Sequence, residues 1–445
     1  MNNLRSSFQK VAMYPSAIAG LFAILLLVAV AIYTMITIPY TDAIRMWRGG
    51  EDVWYQNPRF AAPAWINYFS AKKYAESFAV STTNGSMTKI ATPGKDNVTT
   101  YDISYEFDFQ YDMFPQEMLL YFKSTFDTKQ PFVSIELITP DERTIRISNF
   151  VVGNEYTYRF SQDAKLLAKL RAEDVIPALL TAPEGTEPLK GKYKLIITGT
   201  TFEPDSDINV EFVSHGQVFG LAGTDHARRD LMLPLLWGTP VALAFGLIAS
   251  MGTSILTMII SAVGAWYAGW VDELIQRITE INLVLPFLAI LIMIGTFYSR
   301  SIWVILGATI LLSIFTGAIK GYRAIFIQVK ESMYIEAARA YGAGNSRIIF
   351  LYLIPRMIPL LIPTLVQSIP AFVFLEASLA VIGLGDPVLP TWGKIIQDAN
   401  SNGALYKGYY YWVLEPATLL MITGLAFAVL GFALDRVFNP KLRDV

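Results

Sequence analysis

The chain contains no cysteine. That excludes disulfides, thiolate metal sites, iron–sulfur clusters and a cysteine nucleophile. It has only two histidines, His215 and His226, too few for a multi-histidine metal centre. No phosphate-cradling G-x-x-x-x-G-K-[ST] loop occurs, so the chain does not hydrolyse ATP by that route. Charge is also scarce. Asp, Glu, Lys and Arg make up 16% of the 445 residues, and the net charge of −2 argues neither for nor against a nucleic-acid partner. Hydrophobic residues fill the gap at 53%. Soluble domains rarely show this balance, so several membrane spans and at least one water-exposed domain are expected.

Apolar windows of about 20 residues mark membrane helices, because the hydrocarbon core is about 30 Å thick. Six are expected: Ser16–Ile38, Pro240–Tyr267, Ile281–Tyr298, Ile302–Ile319, Met357–Ile382 and Glu415–Val437. The first follows Arg5 and Lys10. It is too long for a signal-peptide core and lacks an A-x-A-like site, so it reads as a retained anchor. Residues 39–235 carry 26 acidic and 20 basic groups, and the rest of the chain carries 11 and 15. Lys320, Arg323, Lys330, Arg339, Arg347 and Arg356 crowd the link between the fourth and fifth spans, and Arg436, Lys441 and Arg443 lie at the end. Short basic links tend to stay in the cytoplasm. The pattern predicts cytoplasmic termini in a multi-pass plasma- or inner-membrane protein, with the large acidic segment outside.

That segment alternates apolar and polar residues. "YDISYEFDFQY" (Tyr101–Tyr111) is a strong signal for a half-buried strand, and "PFVSIELITP", "RTIRISNFVV", "NEYTYRFS", "KYKLIITGTTF" and "DINVEFVS" continue it. About six short strands suggest an antiparallel sandwich or barrel. Ser161–Thr181 reads as one or two helices, and the Pro- and aromatic-rich Asn57–Phe69 as a packed strap. Asp102, Glu106, Asp108 and Asp112 read as a solvated strand face rather than a cation site. His215 and His226 read as hydrogen-bonded structural residues rather than metal ligands. The expected fold class is therefore an α-helical polytopic membrane protein with six transmembrane helices, plus an inserted β-rich extracytoplasmic domain. Residues 1–38 form the cytoplasmic amino-terminus and first span, 39–235 the β-rich domain, 236–437 a five-helix core with a cytoplasmic loop at 320–356, and 438–445 a cytoplasmic tail.

The loop contains "ESMYIEAARAYGAGNSRIIFLYLIP". Ser332 can cap a helix running through Glu336, Ala337, Ala338, Arg339 and Tyr341. Gly342 and Gly344 can take positive φ and stop it, and Asn345 or Ser346 can cap the next helix. Small alanines leave a surface that another protein can approach. On physics alone, a docking elbow and a plain intracellular loop stand about even.

E-A-A-x-x-x-G followed by an aliphatic pair and proline resembles the EAA motif of permease subunits in binding-protein-dependent ABC importers. Glu336, Ala337, Ala338, Gly342, Leu353, Ile354 and Pro355 fall on it, with L-I-P in place of the usual I-L-P. "GTDHARRDLMLPLLWG" (Gly223–Gly238) resembles a segment of the dipeptide, oligopeptide and nickel branch, with Arg228 where that pattern has glycine. "AGWVDELIQRITEINLVLPFLAI", "LEASLAVIGLGDPVLPTWG" and "DRVFNPKLRD" resemble later segments of the same branch, with Glu280 where aspartate is usual. Together these linked motifs resemble the C-type permease subunit, from about Gly223 to Val445 plus the first span.

The resemblance implies a non-catalytic transport subunit without cofactors. Its implied partners are a second permease subunit, two cytoplasmic ATP-binding subunits, an extracytoplasmic substrate-binding protein and the bilayer, with no nucleic acid. It places ATPase coupling on Tyr334, Glu336, Ala337, Ala338, Arg339, Tyr341, Gly342, Ala343 and Gly344. Gating or pathway candidates are Glu280, Asn282, Pro359, Pro363, Pro370 and Glu376. Pro355, Pro359 and Pro363 recur every four residues and either kink the fifth span statically or let it bend. At 1.5 Å per residue Glu376 lies about 30 Å from Pro355, near the outer interface, where it faces the pathway or holds the "GLGDPVLPTWG" loop. Glu280 and Asn282 lie at the inner end of the third span, in reach of the elbow. Peptides fit the branch best. Nickel or sugars are alternative cargoes, and a membrane-anchored binding or sensor module is the alternative class. The family's first outer loop is usually much shorter, so an extra β-rich domain of roughly Ser70–Val213 is this chain's main departure. It is expected to cap the outer mouth, to dock the binding protein or partly to replace it.

Overall fold

A computed structural model describes residues 15–95, 97–183 and 185–438. Arg5, Lys10, Lys441, Arg443 and the tail beyond Phe438 lie outside the described residues. The chain divides into two compact units. One comprises Met1–Arg48 with Leu233–Val445, and the other Gly49–Met232.

The first unit is helical. Its helices in chain order are α1 (Pro15–Thr37), α2 (Tyr40–Arg48), α3 (Met232–Tyr267), α4 (Gly269–Val284), α5 (Phe287–Phe297) and α6 (Ile302–Ile314). There follow α7 (Gly317–Lys330), α8 (Met333–Ala340), α9 (Asn345–Leu384), α10 (Trp392–Ser401) and α11 (Tyr411–Phe438). Four of these, α1, α3, α9 and α11, are long and apolar enough to cross a membrane. The count reaches six if each of two bent pairs is one span: α4 with α5, bent by 80°, and α6 with α7, bent by 49°.

Both expected spans, Ile281–Tyr298 and Ile302–Ile319, are bent. Pro286 sits at the first break. It lacks an N–H and drives Leu285 out of the helical region, to φ −69° and ψ 134°. The long helices also begin earlier than the apolar windows. α3 starts at Met232 rather than Pro240, and α9 at Asn345 rather than Met357, where the helix runs on through Asn345, Ser346 and Arg347, which a hydropathy window leaves out.

Small residues set the helix contacts, as close packing requires where lipid offers no hydrophobic drive. A Cβ on Gly20 of α1 would come within 2.8 Å of the Ala426 carbonyl oxygen of α11. Gly246 of α3 meets Val373 and Ile369 of α9, and Gly424 of α11 meets Phe374 of α9. Beside the first of these contacts, Ser250 donates to the Leu365 carbonyl (2.7 Å) and its hydroxyl meets that of Ser368 (2.6 Å).

The second unit is a sandwich of two antiparallel sheets. One has the order β1 (Phe78–Ser81), β9 (Asp207–His215), β4 (Glu117–Thr125), β7 (Glu155–Arg159). The other has β2 (Thr88–Pro93), β3 (Thr99–Phe109), β8 (Gly191–Thr201), β5 (Phe132–Ile138), β6 (Thr144–Val151). Alternating residues of β3, β5 and β8 bury Ile103, Val133, Ile135, Tyr193, Leu195 and Ile197 in one core with Leu120, Phe122 and Phe212. Ser161–Thr181 yields two short helices, Ala164–Leu170 and Val175–Leu180, each with an aspartate at its N-cap (Asp163, Asp174) accepting backbone N–H bonds. Asp102, Glu106 and Asp108 stay exposed on β3. Among the described residues no group of His, Cys, Asp and Glu could hold a metal ion.

The two ends of this unit are zipped together. Asn57 Nδ2 donates to the Arg228 carbonyl (3.1 Å), Arg228 Nη1 donates to the Asn57 carbonyl (2.7 Å), and Phe60 N–H bonds the Asp225 carbonyl (3.2 Å). Arg228 Nε also lies 3.7 Å from Glu51. The chain thus leaves the sandwich beside the point where it came in.

Candidate coupling surface and pathway residues

Helix α8 carries Tyr334, Glu336, Ala337, Ala338 and Arg339, with Tyr341 at its C-cap. One face turns inward. Ile335 and Ala338, three residues apart, are buried, and Ile335 joins a core with Ala265 and Trp266 of α3, Phe326 of α7 and Ile349 and Leu353 of α9. The other face is open: Met333, Tyr334, Glu336, Ala337 and Tyr341 are exposed, Tyr341 at 93%. Both alanines were expected to form a surface for a partner. Ala338 instead packs into the chain's own core, and Ala337 alone is outward.

Two cations tie this helix and its neighbour to the end of α3. The Arg339 guanidinium stacks over the Trp266 ring at 4.4 Å from its centroid. Lys330 Nζ sits 5.7 Å from the same ring and donates to the carbonyls of Ala265 (3.1 Å) and Trp266 (2.9 Å), orphan acceptors of the last turn of α3. Arg323 of α7 makes a forked pair with Asp272 of α4, with Nε at 2.7 and 2.8 Å and Nη2 at 2.5 Å.

The turn after α8 is set by one glycine. Gly342 has φ +80°, Ala343 N–H bonds the Ala338 carbonyl (3.0 Å) and Gly342 N–H bonds the Arg339 carbonyl (2.9 Å), the paired pattern of a left-handed helix stop. Gly344 was expected to share that role. It is extended (φ −69°, ψ 158°) and itself occupies the N-cap of α9, so neither Asn345 nor Ser346 caps that helix. Ser332 does stand at the N-cap of α8, but its hydroxyl donates back to the Val329 carbonyl and accepts no N–H of the helix.

Helix α9 begins with a wider π-type turn at Ile349–Leu353 and ends with another at Ala380–Leu384. The helix stays continuous through Pro359, Pro363 and Pro370. Pro359 is exposed, whereas Pro363 and Pro370 are buried. The wide turns flank the α-helical stretch that holds these prolines.

Glu376 is buried near the end of α9, with Thr391 and Asp386 as its polar neighbours. Both belong to the "GLGDPVLPTWG" loop. Asp386 in turn accepts Ile302 N–H (3.0 Å) at the start of α6 and Val388 N–H (2.9 Å). At the loop's far end Trp392 Nε1 donates to the Leu235 carbonyl (2.9 Å), and its ring lies where a Cβ on Gly238 would stand. Two of the motif segments therefore meet, the "LWG" of α3 and the "TWG" of α10. Sequence reading singled out neither Trp392 nor Asp386. The signal available was the pairing of a tryptophan in one motif with a glycine in another.

Glu280 is half exposed, 3.6 Å from Arg277 and 4.0 Å from Lys320. Asn282 does more. Its Nδ2 donates to the carbonyls of Leu312 and Phe315, both at 2.8 Å, which the break between α6 and α7 would otherwise leave open.

Comparison with known proteins agrees with this architecture. Residues 254–444 match the family described as binding-protein-dependent transport system inner membrane component. The chain is 30% identical over 228 residues to the dipeptide transport system permease protein of Alkalihalophilus pseudofirmus, covering 50% of this chain and 72% of that one. It is 29% identical over 226 residues to the oligopeptide transport system permease protein of Bacillus subtilis (50% and 72%). It is 26% identical over 225 residues to the glutathione transport system permease protein of Pectobacterium atrosepticum (50% and 73%). The β-sandwich lies outside the residues that match the family.

Proposed function

The chain belongs to the binding-protein-dependent transport system inner membrane components, as a C-type permease subunit of a peptide ABC importer, and from that membership we propose that it forms half of a peptide pathway and couples to a cytoplasmic ATPase through α8. In this reading the bent pairs each count as one span, giving six. Both termini are cytoplasmic, and the β-sandwich is extracytoplasmic. A second permease subunit completes the pathway, two ATP-binding subunits hydrolyse ATP, and a binding protein delivers the peptide. Residues 320–356 are the coupling loop.

One observation carries the reading: α8 is fastened to the ends of α3 and α9 on its inner face and bare on its outer face. Ile335, packed in a core with α3, α7 and α9, and the Arg339–Trp266 stack hold it. Tyr334, Glu336, Ala337 and Tyr341 are exposed. A short helix so mounted transmits force to α9, while its open side presents aromatic and small side chains to a groove on an ATPase. Pro359, Pro363, Pro370 and Glu376 then act by holding the shape of α9 and its outer loop.

The test is co-purification of the ATP-binding subunits together with peptide-stimulated ATP hydrolysis. Gly342→Val places a β-branched residue at φ +80°, a cost of about 1–2 kcal/mol in this backbone region. If that cost falls on docking, coupling drops by about tenfold. Gly344→Ala, in extended backbone, leaves coupling near wild type. Normal coupling in Gly342→Val, or absence of ATP-binding subunits from the wild-type complex, would sink the proposal.

A further inference from the structure

The strap at the start of the β-sandwich unit displays aromatic rings that nothing among the described residues covers. Its single helical turn, Ala64–Tyr68, leaves Tyr68 at 87% and Phe69 at 84% exposure, beside Trp65 and Leu221 (68%). Trp65, Phe69 and Leu221 form one patch, and Tyr68 stands beside it, next to Phe69 in the chain. Trp65 Nε1 donates to the Leu221 carbonyl (2.9 Å), and the Trp65 and Phe69 rings meet edge to face at 6.2 Å.

The patch is held rigidly. Ala62 and Ala64 N–H bond the carbonyls of Gln217 (3.0 Å) and Gly220 (2.9 Å). The Asn67 side chain clamps Tyr74 by donating to its carbonyl (3.1 Å) and accepting its N–H (2.9 Å). Fixed, exposed, contiguous rings mark an interaction surface rather than a scatter of surface apolar residues.

We propose that Trp65, Tyr68, Phe69 and Leu221 seat the β-sandwich on the lipid bilayer, at the boundary between headgroups and acyl chains. Three observations select lipid. Trp and Tyr with apolar companions and a satisfied indole N–H are the side chains that settle at this boundary. A basic rim adjoins the patch. Lys72 and Lys73 are exposed directly after it, and Lys190 is paired with Asp112 at 2.5 Å, so the two lysines outweigh the one remaining carboxylate nearby in the chain, Glu76. That sign suits anionic headgroups. The unit is also covalently bound to membrane-crossing helices at both ends. Leu221 precedes Met232, where α3 starts, by eleven positions, a reach of at most about 40 Å. The seating holds on whichever side of the membrane the sandwich lies, so it does not rest on the transport direction or the coupling partner.

Because the chain has no cysteine, a single one can be introduced cleanly. Full-length Phe69→Cys and Leu221→Cys proteins carry an environment-sensitive nitrobenzoxadiazole label. They are reconstituted in phosphatidylcholine–phosphatidylglycerol vesicles with lipids spin-labelled near the headgroup. Ile90→Cys, an isolated exposed residue of β2, is the reference. Quenching at positions 69 and 221 should exceed that at 90 by about threefold or more, and Lys72→Glu with Lys73→Glu should roughly halve it in anionic vesicles. Two outcomes overturn the proposal. One is equal quenching at all three positions. The other is a label that lipid leaves unquenched and that becomes shielded only when partner subunits or a binding protein are added, which would make the patch a protein-docking surface.

Discussion

Arg228 occupies a backbone conformation that glycine adopts freely, with φ +64°. The motif that Gly223–Gly238 resembles has glycine at this position, so the arginine accepts local strain in return for its side chain. That side chain reaches the Asn57 carbonyl and the ring of His215, with Nη1 3.1 Å from Nδ1. His215 Nε2 lies 2.9 Å from the Tyr55 carbonyl. A ring that donates from Nε2 and accepts at Nδ1 must be neutral. Burial first, then the Arg228 charge, pushes the His215 pKa down from 6.5 to about 4. The unfolded chain therefore binds a proton between about pH 6.5 and 4 that the folded chain refuses, so stability rises with pH across that window. Lowering the pH from 7 toward 4 should cost the sandwich roughly 2–3 kcal/mol. Thermal unfolding followed through the β-structure should show this slope, and His215→Gln should flatten it. An unchanged slope in that variant would assign the acid sensitivity to other groups.

At the scale of elements, Asn282 joins two helical breaks. Its amide serves both carbonyls that the bend between α6 and α7 leaves without partners, from the last turn of a helix that is itself about to break at Pro286. Asn282→Leu keeps the side chain's bulk and removes both bonds. At the modest worth of such bonds in membranes the loss is about 1–3 kcal/mol. A lower melting temperature for the purified protein, with peptide-stimulated ATP hydrolysis falling in parallel, is the expected result. Hydrolysis unchanged at a lowered melting temperature would make the residue a purely structural staple. The bend was legible in the Pro of "LVLPF", yet an apolar window weighs hydropathy and not donors, so the third span was marked by hydropathy alone. The strands show the same division. Strands β3, β5, β6, β7, β8 and β9 alternate cleanly and were expected. β4 was missed because Met118, Leu119 and Leu120 are buried in succession, as suits a strand inside the sheet, and that run erases the period-two signal. β1 and β2 are short or exposed edges with little apolar pattern. At the elbow, Gly342 and the helix before it could be read from sequence. Which alanine faces inward could not, because that depends on α3, α7 and α9 arriving from elsewhere in the chain.

At the scale of the whole molecule, the sandwich is built as an insertion. It has its own core, and its two ends are cross-linked by Asn57, Phe60, Asp225 and Arg228, so it can be removed with little demand on the flanking chain. The residues that match the permease family begin at 254, beyond its end. Replacing 52–227 by a flexible link of about four Gly and Ser residues should leave the helical unit able to enter the membrane and to co-purify with the ATP-binding subunits. If the sandwich caps the outer mouth or receives the binding protein, peptide uptake driven by that protein should fall by about tenfold or more while basal ATP hydrolysis persists, since a lost docking contact of about 1.4 kcal/mol already accounts for a factor of ten. Loss of the ATP-binding subunits would instead show that the sandwich holds the helices together. Undiminished uptake would show that delivery runs entirely through the helical unit and that the sandwich serves neither as cap nor as dock.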